Sequence, residues 1–324
     1  MMRVETEGPR LYDFSPPETT FKEEVLAGLR LPKKELPCKY FYDERGSWLF
    51  ERIVDTPDYY VGRVETKIMR ENIDDIVGRM GTDCLLVEYG SGSGRKTRLL
   101  LDRMQSPAGY VPIDIARGAL VETARRFATA YPGLDVCPVF ADFVDFYALP
   151  PCGGYVTRKI VYFPGSTIGN FEPSQARELL EKISRLCHPN GGLLIGVDLK
   201  KPREILERAY DDREGLTSAF NLNLLVRINR ELGGDIRVDN FRHEAVYAEG
   251  EGRVEMRLVS ACEQIATIDG ETFRFGQGES ILTERCHKYD VDGFRRLALA
   301  ADLELEEVWT DENEYFGLFF LTNA

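Results

Sequence analysis

The segment Glu88-Tyr89-Gly90-Ser91-Gly92-Ser93-Gly94 ends an apolar run and leads into Arg95-Lys96. Glycines at alternate positions let backbone approach a ligand closely, because there is no Cβ to collide. Two cofactor classes use such a turn. A dinucleotide sets its pyrophosphate on the following helix N-terminus and goes with GxGxxG, whereas here the third glycine is out of place. S-adenosylmethionine has no pyrophosphate and uses the turn to admit its adenosine and amino-acid ends. Either class needs an acid at the end of the next strand for the ribose hydroxyls. Asp114 stands there, about 20 residues beyond the turn, a spacing common to both. Asp142-Phe143, after a third apolar segment, adds a carboxylate for an adenine amino group and a ring for its flank, a pairing that favours S-adenosylmethionine. Without these acids the turn is equally compatible with tight strand–helix packing.

These residues need a sheet to position them. Strand patterns at Cys84–Tyr89, Tyr110–Asp114, Val136–Phe140, Lys159–Phe163 and Gly192–Asp198 alternate with helical patterns at Lys96–Met104, Arg117–Ala130 and Pro173–Cys187. That order predicts an open, mostly parallel α/β sheet. Upstream, a polar segment with a Ser15-Pro16-Pro17 break precedes predicted helices at Phe21–Leu31, around Trp48-Leu49-Phe50 and Ile53, and at Val64–Arg79. From Lys201 to Thr283 the rhythm changes to a helix at Ala219–Leu232, alternating segments Glu244–Ala248 and Val254–Val259, and a hairpin at Asp269-Gly270. This reads as an inserted α+β substrate-facing part. A last helix, Asp292–Ala301, and strands Leu303–Trp309 and Tyr315–Leu321 supply an antiparallel pair to close the sheet. The pattern alone assigns residues 63–200 and 286–324 to the sheet.

A net charge of −13 over 324 residues opposes binding to phosphate backbones. No apolar run is long enough for a bilayer, and charges in Met1–Arg10 replace the apolar stretch of a secretory signal. The expectations are a cytoplasmic monomer with a small-molecule partner, and no nucleic acid, membrane or metal. The seven cysteines form no CxxC pair and are expected to be reduced thiols.

Further motifs carry a resemblance. Lys39-Tyr40-Phe41-Tyr42-Asp43-Glu44-Arg45-Gly46-Ser47, Pro57-Asp58-Tyr59-Tyr60, Gly90-Ser91-Gly92 with Lys96-Thr97, and Pro164-Gly165-Ser166-Thr167-Ile168-Gly169-Asn170 occur in this order. Tyr210-Asp211-Asp212, Phe220-Asn221, Asn229-Arg230-Glu231-Leu232, Glu255-Met256-Arg257-Leu258 and Thr283-Glu284 follow. Over nearly all of the chain after Leu36 the sequence resembles the histidine N-alpha-methyltransferases of ergothioneine biosynthesis. The resemblance implies that the sheet is a Rossmann-like class I methyltransferase domain and that the N-terminal segment and the insertion, residues 1–62 and 201–285, together bind substrate. It also implies trimethylation of the α-amino group of L-histidine to hercynine. It assigns Gly90, Gly92, Lys96, Asp114, Asp142 and Phe143 to S-adenosylmethionine. It gives Asn170 and Tyr210 to the substrate's amino and carboxylate groups, and Tyr60, Met256 and Glu284 to the imidazole, with Asn170 and Tyr60 as the catalytic pair.

A carboxylate such as Glu284 accepts an imidazole N–H, and a site built around that bond rejects side chains that cannot make it. Tyr42, Tyr60 or Phe163 would stabilise the growing methylated cation through its ring face. Cys286, two positions after Glu284, is the sixth expected substrate residue, and there the chain departs from the family, where serine is common and a thiol is a weaker hydrogen-bond partner. It departs also at Val61-Gly62 and Gly94. Each residue has an ordinary alternative: Asn170 as cap of the helix at Pro173, Tyr60 and Tyr210 as half-buried tyrosines, Met256 as core, Lys96 as partner of a surface acid. Other functions compatible with the motifs are the same fold acting on a tryptophan derivative or thiolated histidine, a nicotinamide-dependent oxidoreductase, and a regulator that binds cofactor without turnover.

Overall fold

The computed structural model describes residues 8–14, 19–145 and 148–323. The Ser15-Pro16-Pro17 break lies outside them. A short strand β1 (Tyr12–Asp13) precedes helices α1 (Thr19–Arg30), α2 (Glu44–Val54) and α3 (Val61–Met80). The alternating part runs β2 (Cys84–Tyr89), α4 (Arg95–Leu101), β3 (Gly109–Asp114), α5 (Arg117–Ala130), β4 (Val139–Phe140), β5 (Arg158–Phe163), α6 (Pro173–Cys187) and β6 (Gly192–Asp198). Then come α7 (Arg203–Tyr210), α8 (Leu216–Leu232), β7 (Phe241–Ala248), β8 (Arg253–Ser260), β9 (Gln264–Ile268), β10 (Glu271–Phe275) and β11 (Ser280–His287). The chain closes with α9 (Val291–Leu299), β12 (Leu303–Thr310) and β13 (Phe316–Asn323).

Eight strands form one sheet in the order β1-β4-β3-β2-β5-β6-β13-β12. Strands β1 to β6 pair in parallel, while β13 is antiparallel to both β6 and β12. This is the Rossmann-like class I methyltransferase arrangement. β2 and β6 are buried at every position, as strands covered by helices on both faces must be. The chain reverses its direction of travel across the sheet at β2, and a crevice at the carboxyl ends of the strands is where an open α/β sheet binds ligand. The turn after β2, Asp114 on β3, Asp142 after β4, Gly165 after β5 and Asp198 on β6 all stand at those ends.

Beyond β6 the insertion makes a separate three-stranded sheet, β11-β8-β7, and the β9–β10 hairpin turns at Asp269-Gly270 as expected. The N-terminal segment joins it. Leu36 N–H donates to Leu282 O at 2.8 Å and Leu282 N–H to Lys34 O at 2.9 Å, so the segment after α1 docks beside β11. Helix α2 packs on α8. The motif around Asp43 explains this contact. Asp43 caps α2 by accepting from Gly46 N–H at 2.7 Å, and also accepts from Asn223 at 2.8 Å and Arg230 at 2.7 Å on α8. Gly46 is required because a Cβ there would lie 1.7 Å from the Phe41 carbonyl oxygen. Asp43→Ala is therefore expected to lower unfolding free energy by roughly 1–2 kcal/mol, measured by urea titration.

Several expectations are corrected. Strand β4 is Val139–Phe140 rather than Val136–Phe140, since Pro138 has no N–H for the ladder and Val136 makes only an isolated bridge to Tyr110. Strand β1 and helix α7 were absent from the pattern: β1 is two residues long, and α7 is one short amphipathic stretch after Pro202. Cys137 and Cys152 form a disulfide, against the expectation of reduced thiols, because the loop from β4 returns to bring their Cα atoms within 6.0 Å. The divisions drawn at 62/63 and 285/286 fall inside α3 and β11. Among the described residues no helix is long and apolar enough to cross a membrane, and no group of acids, histidines and cysteines is placed to hold a metal ion.

Candidate active site

The turn after β2 takes left-handed backbone at Gly90 (φ 76°), Gly92 (φ 44°) and Gly94 (φ 65°), where glycine is favoured. The three differ in purpose. A Cβ built on Gly90 or Gly92 would meet nothing within 4 Å, so these two leave open space on the ligand side. One built on Gly94 would lie 2.4 Å from the Phe127 ring, so that glycine serves the packing of α4 on α5. Asp114 holds the turn from β3: its Oδ2 accepts Gly92 N–H at 3.0 Å and its Oδ1 accepts Ala116 N–H at 2.8 Å. Asp114 Oδ2 also accepts the Ser91 hydroxyl at 3.5 Å, a contact that a ligand hydroxyl could replace. Burial raises its carboxyl above the usual range even though those N–H groups favour the anion. Asp142 accepts from Val144 N–H at 3.0 Å and lies 3.4 Å from Lys39 Nζ. Phe143 stacks on Tyr89 at 5.2 Å. The backbone space and the acids at successive strand ends fit S-adenosylmethionine.

Lys96 points at the loop after β5 instead of at surface. It ion-pairs with Glu65, which is fully buried on α3 and also accepts Gly165 N–H at 3.0 Å and the Tyr162 hydroxyl at 3.3 Å. Glu65 thus clamps the glycine-turn helix to the Pro164–Asn170 loop, a role that nothing in its sequence surroundings announced.

That loop leads into a cavity lined by Tyr42, Phe50, Tyr59, Asn170, Tyr210, Phe220, Met256, Glu284 and Cys286, with Gly165 to Thr167 at its edge. Five of the six expected substrate residues meet here. β-structure explains three of them. Glu284 and Cys286 are two apart on β11 and so share a face, and Glu284 sits directly across from Met256 on β8. A bulge between Leu282 and Glu284 shifts the register, with Thr283 donating its hydroxyl to Met256 O at 3.1 Å. The aromatic wall comes from elsewhere: Tyr42 and Phe50 from the N-terminal segment pack on Phe220 of α8 at 5.7 and 5.8 Å, and Tyr59 packs on Phe50 at 6.1 Å.

Asn170 ends a 3-10 turn, Thr167–Asn170. It does not cap α6, whose N-cap is Glu172, with Gln175 accepting the Glu172 N–H at 3.1 Å. Its amide instead lies beside Glu284 in the cavity lining, near enough to favour the charged carboxylate. Enclosure pushes the Glu284 carboxyl up to about 7, with Lys288 and the Asn170 amide opposing that rise. Gly169 lets the turn press on β11, since a Cβ there would stand 2.7 Å from His287 O and 3.0 Å from Cys286 Sγ. Gly169→Ala should accordingly displace Asn170 and cut kcat/KM by roughly tenfold or more with S-adenosylhomocysteine affinity retained, as titration calorimetry and initial rates would report.

Tyr60 is the sixth expected residue, and the structure places it elsewhere. Its hydroxyl donates to Asp198 at 2.8 Å and accepts from Lys201 at 2.7 Å, behind the cavity wall. Tyr59 takes the cavity position. Adjacent side chains at the entry to α3 must diverge, and two consecutive tyrosines give no sign of which one faces the ligand. Of the three rings considered for cation stabilisation, Tyr42 alone lines the cavity; Phe163 is buried against Tyr89 and Phe143. Tyr42 lies near enough to Glu284 and Asp114 that both acids add to burial in raising its hydroxyl well above the usual value. Tyr210 is held by its backbone: His243, kept neutral by burial, donates from Nε2 to Tyr210 O at 2.8 Å and accepts at Nδ1 from Asn221 at 2.8 Å.

Comparison with known proteins agrees with this geometry. The profile of the histidine-specific, SAM-dependent methyltransferases matches residues 21–323. The chain is 38% identical to the histidine N-alpha-methyltransferase of Mycolicibacterium smegmatis over 303 residues, 92% of this chain and 93% of that one. It is 38% identical over 302 residues to the enzyme of the same name from Mycobacterium tuberculosis, again 92% and 93% of the two chains. It is 30% identical over 322 residues to ergothioneine biosynthesis protein 1 of Neurospora crassa, covering 95% of this chain and 35% of that protein. With a glycine turn shaped for the cofactor, a polar and aromatic cavity beside it and a match across almost its whole length, this chain belongs to the histidine-specific, S-adenosylmethionine-dependent methyltransferase family.

Proposed function

We propose that this chain transfers methyl groups from S-adenosylmethionine to the α-amino group of L-histidine, three in succession, to give hercynine. The observation that carries the choice of substrate is Glu284, a carboxylate set in an aromatic cavity beside Asn170 and Tyr210. Its lone pairs suit an imidazole N–H, and an apolar side chain would leave them unmatched.

When bound, S-adenosylmethionine supplies an electrophilic methyl group on a sulfonium. Gly90 and Gly92 leave room for it, Asp114 accepts ribose hydroxyls, and Asp142 with Phe143 takes the adenine. On the substrate side, the Tyr210 hydroxyl donates to the α-carboxylate, Glu284 accepts from the ring, and Asn170 orients the amine. Exclusion of water by Phe50, Tyr59, Phe220 and Met256 disfavours the ammonium form, so the amine is held with its lone pair free. As methyls accumulate, the ring face of Tyr42 stabilises the fixed cation.

The test is incubation with S-adenosylmethionine and each standard amino acid, followed by product masses in steps of one methyl. Histidine alone should gain three. A gain on another amino acid with none on histidine would overturn the proposal.

A further inference from the structure

Behind the cavity wall lies a buried charge cluster that these roles leave unexplained. Asp198 and Lys288 have no exposed side chain and Lys201 is 1% exposed. Burial alone would raise the Asp198 carboxyl, but Lys288 and Lys201 outweigh it and hold it below the usual range. Burying charge is costly unless each group is fully paired. The Lys288 ammonium has three N–H donors and no acceptor. All three are directed: to Asp198 Oδ2 at 2.7 Å, to the Tyr210 hydroxyl oxygen at 2.9 Å and to Cys286 Sγ at 3.1 Å.

The last two acceptors line the cavity, whereas Lys288 does not. A tyrosine oxygen that receives an ammonium N–H has its own hydrogen left to give. The thiol of Cys286, likewise accepting at sulfur, keeps its S–H. Two cations share one carboxylate in this cluster, so the wall also carries positive potential toward the cavity, strongest where Tyr210 and Cys286 stand.

We infer that Lys288 is a positioning residue that fixes Tyr210 and Cys286 as hydrogen-bond donors into the cavity and so sets its selectivity for a substrate bearing an α-carboxylate. Lys201 and Tyr60 complete the cluster by holding Asp198, the anchor for Lys288. The inference rests on the proposed function only in taking the ligand to be an α-amino acid.

The test compares histidine with histamine, which keeps the imidazole and amine but lacks the carboxylate. In Lys288→Met, histidine affinity should fall by roughly tenfold or more, histamine affinity should change little, and S-adenosylhomocysteine should bind as in the unaltered protein. Equal losses for histidine and histamine, or no loss for either, would overturn it. Tyr210→Phe keeps the Asp198, Lys201 and Lys288 charges while removing one Lys288 acceptor, and provides the control if Lys288→Met fails to fold. It should reproduce the carboxylate-selective loss, and a loss shared by histamine would count against the inference. Where both variants fold, combining them should cost little more than either alone, because both remove one donor. A protein that binds no histidine but methylates another α-amino acid would refute the substrate proposed above. The same comparison with that acid's decarboxylated amine would then decide the role of Lys288, and binding of no amino acid at all would overturn both.

Discussion

Replacing Glu284 with alanine should weaken histidine binding by roughly ten- to a hundredfold, the range for a hydrogen bond to a charged group, with no matching loss of S-adenosylhomocysteine affinity. Calorimetric titration of each ligand separates the two, and an equal loss of both would reassign Glu284 to the scaffold. A pH dependence accompanies the substitution. Because enclosure pushes the carboxyl up to about 7, it takes up a proton as pH falls through that value and can no longer accept from the ring with both oxygens. Histidine kcat/KM should therefore decline below about pH 7. Glu284→Gln, which does not titrate there, should lose that part of the acid limb. The linked effect on stability has the opposite sense: a carboxyl raised above its unfolded value favours the fold at low pH, and this contribution is lost as pH rises through about 7. Bound histidine, donating to the carboxylate, restores part of it.

Asn170→Ala should act on rate. In the role proposed for it the side chain orients the amine, so the expected result is a fall in kcat on the order of a hundredfold, the effect of misplacing a reacting atom by about 1 Å. Stopped single-turnover measurements would read this directly. A second readout comes from its influence on Glu284. That amide favours the charged carboxylate, so its removal should move the acid limb of kcat/KM to higher pH. A fall in kcat with an unmoved limb would mean that Asn170 and Glu284 act separately.

Much of this was legible in the residues. Strands β2 and β6 and helices α5 and α6 match the predicted spans because uninterrupted burial, helical period and flanking Gly or Pro all agree there. The acid at each strand end marked the cofactor crevice. Legibility failed where geometry depends on partners distant in the chain. Tyr59 and Tyr60 are equivalent by composition, and only the Asp198–Lys201 pair behind the wall draws Tyr60 away. Glu65 sits in an ordinary helical pattern, and its importance comes from Lys96 and Gly165, 31 and 100 residues distant. Lys288 follows Cys286-His287 without any pattern at all, and its three acceptors come from three separate elements. The Cys137–Cys152 bond was hidden for a related reason: the loop that closes it has no period to read.

The bulge at Thr283 has a consequence for how such a cavity changes its ligand. Along β11, Ile281 belongs to the apolar core and is fully buried, whereas Glu284 and Cys286 face the cavity. In a regular strand Ile281 and Glu284, three apart, would point to opposite faces. The extra residue turns Glu284 to the side of Ile281, because their partners on β8, Met256 and Leu258, are two apart and share a face. The cavity is thus continuous with the packed side of this sheet, and Cys286 and Met256 belong to the same buried cluster as Ile281. A change of ligand written at this end of the strand has to be absorbed by the core on which it rests.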